Sequence, residues 1–156
     1  MEEIKIRKGT ERDLPQVLEL VKELAVYEKA PLEVEVTLEE MQNWGFGSDR
    51  IFDFFVAGQA GHIVGIALYY YKYSTWKGKC LFLEDIIITE SHRRYGLGTR
   101  LFNEVVKVAK EKKVRRMEWQ VLEWNEPALN FYKKYDAVLD PEWINGKLTY
   151  QQLQSL

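Results

Sequence analysis

A chain of 156 residues, 46 % hydrophobic and 29 % charged, is long enough for one domain with a proper core over residues 1–156 and has a soluble globular balance with no disorder signature. The formal charge of −2 supplies no basic footprint for nucleic acid, and no apolar run approaches the roughly 20 residues that cross a bilayer, so neither nucleic acid nor membrane is an expected partner. One cysteine, Cys80, permits no internal disulfide and fits a cytoplasmic setting, two histidines beside it argue against a metal site, and the charged opening MEEIKIRKGTERD lacks a signal-peptide apolar region.

Residues 4–8 alternate apolar and basic side chains and predict a first strand. Thr10 with Asp13 caps a helix whose stripe is Leu14, Val17, Leu18, Val21, Leu24 and Ala25, with Pro15 in the first turn, ending near Tyr27 and Glu28. A loop through Ala30 and Pro31 leads to Thr37-Leu38-Glu39-Glu40, a capping-box pattern for a short helix to about Trp44, broken by Gly45, Phe46 and Gly47. Residues 54–57 and 63–71 read as strands joined by a turn in 58–61. A loop over 74–78 carries Trp76. Residues 81–88 then suit a strand buried on both faces, interrupted by Glu84 and Asp85.

The turn Arg93-Arg94-Tyr95-Gly96-Leu97-Gly98-Thr99 follows, and it opens directly into a helix striped by Leu97, Leu101, Val105 and Val108, with a charged end over 110–113. Residues 116–121 alternate as a strand, Asn125-Glu126-Pro127 starts a helix to Lys134, and Asn145-Gly146 predicts a hairpin turn into a last strand with Leu148 and Tyr150. Strand, helix and strand in succession make the crossover's two flanking strands parallel, within a mixed α/β (α+β) domain.

The basic, glycine-containing turn has what an anion site needs: glycines that let the backbone approach closely, free amides at a helix start, and a favourable helix dipole. It is not a Walker loop, since no Gly-Lys-Ser/Thr follows, nor a dinucleotide fingerprint, because Leu101 stands where the third glycine belongs. Taken alone, a strand, turn and helix of this kind also serve simple packing.

Arg93, Gly96 and Gly98 spell Arg-x-x-Gly-x-Gly, which resembles the coenzyme A pyrophosphate motif of the GNAT superfamily of N-acetyltransferases. The order of elements resembles the GNAT fold, a twisted mixed central sheet splayed between strands 4 and 5 and flanked by helices, over essentially the whole chain. Glu123-Trp124-Asn125-Glu126-Pro127-Ala128-Leu129-Asn130-Phe131-Tyr132-Lys133 resembles the spermidine/spermine N-acetyltransferase branch, as do Lys22 to Glu28, Asn43 to Gly47, Tyr69-Tyr70, Trp76 to Lys79 and Leu83-Glu84-Asp85 in order.

The resemblance implies acetyl-CoA as co-substrate, held by Arg93, Arg94, Tyr95, Gly96, Leu97, Gly98 and Thr99, by backbone groups of Ile86, Ile87 and Ile88 beside a β-bulge there, and by Asn125, Pro127, Ala128, Tyr132 and Tyr135. It implies an amine pocket formed by Tyr27, Glu28, Trp76, Glu84, Asp85, Glu118, Trp124 and Glu142, a general acid in Tyr132, and a homodimer in which the C-terminal strand takes part.

An alkylamine with a pKa near 10.4 is almost wholly protonated at neutral pH, so a carboxylate must hold the ammonium and accept its proton, directly or through water. Adjacent strand residues point to opposite faces, so one of Glu84 and Asp85 is expected in the cleft, with Glu84 chosen as the catalytic carboxylate. The alternatives are structural: both acids satisfied by loops, Phe131 and Tyr132 as a core aromatic pair, Trp76 as a lid or subunit contact. Two positions depart from the branch. Ser74 replaces the aspartate of polyamine-acetylating members, which points toward the type acetylating thialysine or lysine-like amino acids, and Asp136 replaces a glycine but tolerates the left-handed region. Acetylation of a protein lysine or N-terminus, and a non-catalytic acyl-CoA sensor, are the rival functions. Cys80 as an acetyl-carrying nucleophile is the weaker mechanism, since no histidine is placed to activate it.

Overall fold

Five runs of strand-forming residues assemble one sheet in the order β1-β2-β3-β4-β5 in the computed structural model, which describes residues 3–156. The signal-peptide reading begins at residues 1 and 2, which lie outside the described residues. The chain packs as two compact units, Met1–Gln120 and Val121–Leu156. The first holds β1 (Lys5–Lys8), α1 (Leu14–Tyr27), α2 (Leu38–Phe46), β2 (Asp53–Gln59), β3 (His62–Ser74), β4 (Gly78–Ile88), α3 (Leu97–Glu111) and β5 (Met117–Trp119). The second holds α4 (Glu126–Lys133) and α5 (Tyr150–Ser155).

Strands β1 to β4 are antiparallel, and β4 pairs with β5 in parallel across the α3 crossover. Side chains opposed across a ladder share a face. Phe54, Val56, Ile66, Leu68 and Ile87 therefore lie on one face, where they pack with Leu14, Val17 and Leu20 of α1 and Met41 of α2. Helix α3 covers the other face: a side chain at Gly65 would collide with Leu101 and Ile88. No helix among the described residues is long and apolar enough to cross a membrane.

The expected caps are present. Thr10 and Asp13 form a capping box, and Arg7 grips Asp13 through two hydrogen bonds of 2.7 and 2.9 Å, holding this buried carboxyl below its usual range, with Thr10 amide donation adding to the effect. A depressed pKa contributes stability above the ordinary aspartate range and loses it as pH falls through the folded-state value. Asp13→Ala is expected to cost about 2 kcal/mol at neutral pH and lower the melting midpoint by about 4–8 °C. In thermal melts the deficit narrows in acid, and a deficit independent of pH refutes the assignment.

Four boundaries differ from expectation. Helix α2 continues through Gly45 and Phe46, because Gly45 faces Phe52 and a Cβ there would come within 2.6 Å of that ring. Strands β3 and β4 extend to Ser74 and from Gly78, making one long hairpin. Strand β5 covers only Met117–Trp119. The last strand is absent: residues 137–149 carry no regular structure, and Thr149 caps α5 through a box with Gln152. Neither Asn145 nor Gly146 takes the positive φ that a two-residue hairpin turn needs. Ala60 and Gly61 do take it, at 52° and 81°, in the tight β2–β3 turn.

Candidate active site

Strand β4 carries one residue more than β3 at its middle. Leu83 faces Tyr69 and Asp85 faces Leu68, so Glu84 is the extra residue of a β-bulge. The bulge lies two residues before the predicted Ile86 to Ile88, and it overturns the alternation argument. Asp85 shares the α1/α2 face with Leu68, and Glu84 accepts a hydrogen bond from Tyr70 on that same face. Both carboxylates therefore serve one side of the sheet, which unbroken alternation forbids.

Helix α1 brings a third. The Glu23 carboxylate accepts from the Thr89 hydroxyl at 3.2 Å and the Glu90 amide at 3.1 Å, strapping α1 to the segment after β4. Glu28 follows at the end of α1, its carboxyl raised by burial. Asp85 is pushed up to about 7, by burial first and then by the charges of Glu84 and Glu28. Asp85 thus feels both Glu84 and Glu28, and its ionised form gains from a cation brought beside it.

The bulge also opens the sheet. Strand β4 pairs with β5 only from Leu81 to Leu83, and the ladder ends one residue before Glu84. A bulged strand bends and twists more strongly. Residues Ile86, Ile87 and Ile88 accordingly have no β5 partner, which leaves backbone groups on that edge, other than the Ile88 carbonyl that Arg93 occupies, open to an extended ligand.

Beyond β4, Arg93 turns back: its Nε donates to the Ile88 carbonyl at 3.0 Å and its guanidinium lies 5.1 Å from the Tyr27 ring centroid. Arg94 and Gly96 both have a φ of 74°, so the turn is tightly coiled. Gly96 is the N-cap of α3 and offers no side-chain acceptor, whereas α2, α4 and α5 are capped by Thr37, Asn125 and Thr149. The first-turn amides of Leu97, Gly98 and Thr99 therefore keep the anion-binding capacity that a capping side chain would consume. Leu97 is buried and anchors the helix start, while Tyr95 is exposed.

A cleft of about 600 Å³ opens between the segment Arg50, Ile51, Phe52 and Asp53 and the β3 residues Leu68, Tyr70 and Tyr71. Tyr70, which donates to Glu84, and Leu68, which faces Asp85, link this cleft to the carboxylates. Apart from Tyr70, none of these cleft residues is singled out by the motifs. Residues 50–53, which lead into β2, carry no periodic signal, and only the fold brings them beside β3.

Two expected pocket residues are placed elsewhere. Trp76 sits at the tip of the β3–β4 hairpin, 86 % exposed, and the strand from Leu68 to Ser74 separates it from the carboxylates by about 20 Å. Within one chain it does not reach them. Ser74 is engaged in the same turn, accepting from the amides of Trp76 and Lys77 at 3.3 and 3.2 Å. Glu118 is taken up by cations: its Oε2 lies 3.2 Å from Arg116 and 3.5 Å from Lys72, so it is an ion-pair member rather than a vacant amine ligand.

In the second unit, Asn125 accepts from the Ala128 amide at 3.3 Å, and Pro127 sits in the first turn of α4. Tyr132 is buried, with Phe131 edge-on at 5.2 Å, and Tyr135 tilts against Phe131 at 5.6 Å. Asp136 takes a φ of 56°, the left-handed conformation expected of it. Trp124 is half-exposed, and Glu142 is exposed in a loop where its amide donates to Asp140. Cys80 is fully buried, which removes it as an accessible nucleophile. Among the described residues no group of three or more metal-ligating side chains occurs.

A sequence model of the acetyltransferase (GNAT) family matches residues 14–136. Mouse thialysine N-epsilon-acetyltransferase is 35 % identical over 167 aligned positions, which cover 100 % of this chain and 98 % of that protein. Human spermidine/spermine N(1)-acetyltransferase-like protein 1 is 30 % identical over 145 positions, covering 88 % of this chain and 21 % of the relative. The crystal structure of an aminoglycoside acetyltransferase from an uncultured soil metagenomic sample aligns with a TM-score of 0.75 at 20 % identity, over 94 % of this chain and 95 % of that one, a likeness of fold.

Proposed function

Because the chain belongs to the GNAT acetyltransferase family and is an N-acetyltransferase, we propose that it moves the acetyl group of acetyl-CoA to a primary amine of a small cationic substrate, by direct attack in a ternary complex. The thialysine and spermidine/spermine relatives narrow the substrate to a lysine-like amino acid or a polyamine. The observation that carries the reading is the bulge at Glu84, which sets two carboxylates on one face and ends the β4–β5 ladder beside them.

The co-substrate supplies an activated acyl carbon. Uncapped amides at the start of α3 and the basic turn Arg93 to Thr99 fit its diphosphate, and the free edge of Ile86 to Ile88 fits the arm that follows. Glu84 and Glu28 hold the substrate ammonium. Asp85 accepts its proton, being a base whose pKa of about 7 lies near the operating pH. The neutral nitrogen then bonds to the acyl carbon as the carbon–sulfur bond breaks, backbone amides of β4 stabilise the oxygen, Tyr132 gives the departing sulfur its proton, and the new amide nitrogen sheds its second proton to restore the phenol, directly or through water. One acetyltransferase domain over residues 1–156, working as a cytoplasmic homodimer, completes the proposal on family precedent.

The test is thiol release from acetyl-CoA across thialysine, lysine, ornithine, putrescine, spermidine, spermine and a lysine-bearing peptide. The expected result is turnover of a free small amine in preference to the peptide. Acetyl-CoA binding without stimulation by any amine refutes the proposal and leaves a sensor.

A further inference from the structure

Glu84 is the β4 residue that pairing with β3 leaves over. Because Leu83 faces Tyr69 and Asp85 faces Leu68, no β3 residue stands opposite it, and it is exposed. A glutamate without a cross-strand neighbour keeps the rotamer freedom of a long side chain, and a wandering carboxylate holds an ammonium poorly. The regular alternation of β3 supplies what the bulge takes away. Tyr70 lies two residues beyond Leu68, on the same face, and its hydroxyl donates to the Glu84 carboxylate.

The ring that carries this hydroxyl is itself fixed. Tyr70 stands opposite Phe82 across the ladder, with ring centroids 5.3 Å apart at an interplanar angle of 32°. Packing of this kind asks only for an aromatic ring, and phenylalanine would meet it equally. The oxygen has a separate use. Burial first, then the charge of Glu84 and the hydrogen bond to it, push the phenol's pKa above its ordinary value, so it stays protonated, and a donor, across the neutral range.

We infer that Tyr70 is a positioning residue, whose hydroxyl holds the Glu84 carboxylate of the bulge in the orientation that takes the substrate ammonium. This role rests on the acetyltransferase reading and adds to it a residue that acts through Glu84 rather than on the reacting atoms. An ionised carboxylate offers about four acceptor positions. Tyr70 takes one of them and leaves the others to a cation. Bulge and tyrosine work as a unit: the extra residue brings Glu84 to the face of Asp85, and the hydroxyl fixes it there.

The test is a double-mutant cycle of Tyr70→Phe and Glu84→Ala, read as kcat and KM with the preferred amine of the panel. Tyr70→Phe is expected to raise KM for the amine about tenfold, the worth of a hydrogen bond to a charged group, with kcat and KM for acetyl-CoA nearly unchanged. In the Glu84→Ala background the hydroxyl has nothing to hold, and the same substitution adds less than about twofold. An unchanged KM in Tyr70→Phe overturns this role alone. An equal loss in both backgrounds does so too, because the phenol then acts independently of Glu84 or merely supports the fold. A Glu84→Ala variant with wild-type KM takes the ammonium away from Glu84, and the role of Tyr70 falls with it. Acetylation of no amine by the wild type overturns the acetyltransferase reading itself.

Discussion

Asp85→Asn is expected to lower kcat/KM for the preferred amine by about 100-fold or more while raising the melting temperature. The two effects have one origin. Asp85 is pushed up to about 7 because it is partly withdrawn from water and faces Glu84 and Glu28. A carboxyl whose pKa is higher folded than unfolded weakens the fold once it ionises. Its contribution is most favourable below the unfolded aspartate value, and stability is lost as pH rises through the window from about 4 to about 7. Asparagine keeps the shape and removes the charge. Discounted for partial exposure, the gain at pH 8 is about 1–2 kcal/mol, or about 2–8 °C, and it vanishes near pH 4.

Activity moves the other way. Above pH 7 the ionised Asp85 takes a proton from the bound ammonium, so wild-type kcat/KM climbs through about pH 7. In the variant that limb is missing. Differential scanning calorimetry at pH 4 and pH 8, with the pH–rate profile, reads both halves. If Asp85 were a structural acid satisfied by its neighbours, asparagine would destabilise the fold and leave the profile's shape alone.

Much of this was legible in the sequence, because periodicity and capping are local. The Leu97, Leu101 and Val105 stripe gave α3, the capping pairs Thr10 with Asp13 and Thr37 with Glu40 set helix starts, and the β4–turn–α3 order stands as expected. What stayed hidden depends on register or on distant packing. The bulge at Glu84 exists only as a mismatch between β3 and β4, so a rule of strict alternation put Glu84 and Asp85 on opposite faces. Gly45 looked like a helix breaker until Phe52 was seen to need its missing side chain. Asn145-Gly146 had turn chemistry without the flanking strands that would draw it into a hairpin. Motif resemblance named Trp76 and Glu118 for the pocket, and the hairpin length and the Lys72–Glu118–Arg116 cluster placed them elsewhere.

Tyr132→Phe is expected to reduce kcat by about 100-fold with little change in KM for acetyl-CoA, since the proposed role of the phenol is to protonate sulfur as it departs. The substitution removes one oxygen and keeps the ring that meets Phe131 edge-on at 5.2 Å in α4. Loss of a single hydroxyl costs about 1 kcal/mol of stability, too little to account for such a rate deficit. A donor whose thiol is strongly acidic separates the chemical role from packing. An acetylated aryl thiol leaves as a stable thiolate and needs no proton, so the wild-type to variant ratio should shrink toward unity with it. With acetyl-CoA, whose alkyl thiolate is a poor leaving group, the full deficit persists. A ratio that is the same for both donors would show that Tyr132 only packs, and the acid would have to be sought elsewhere or supplied by water.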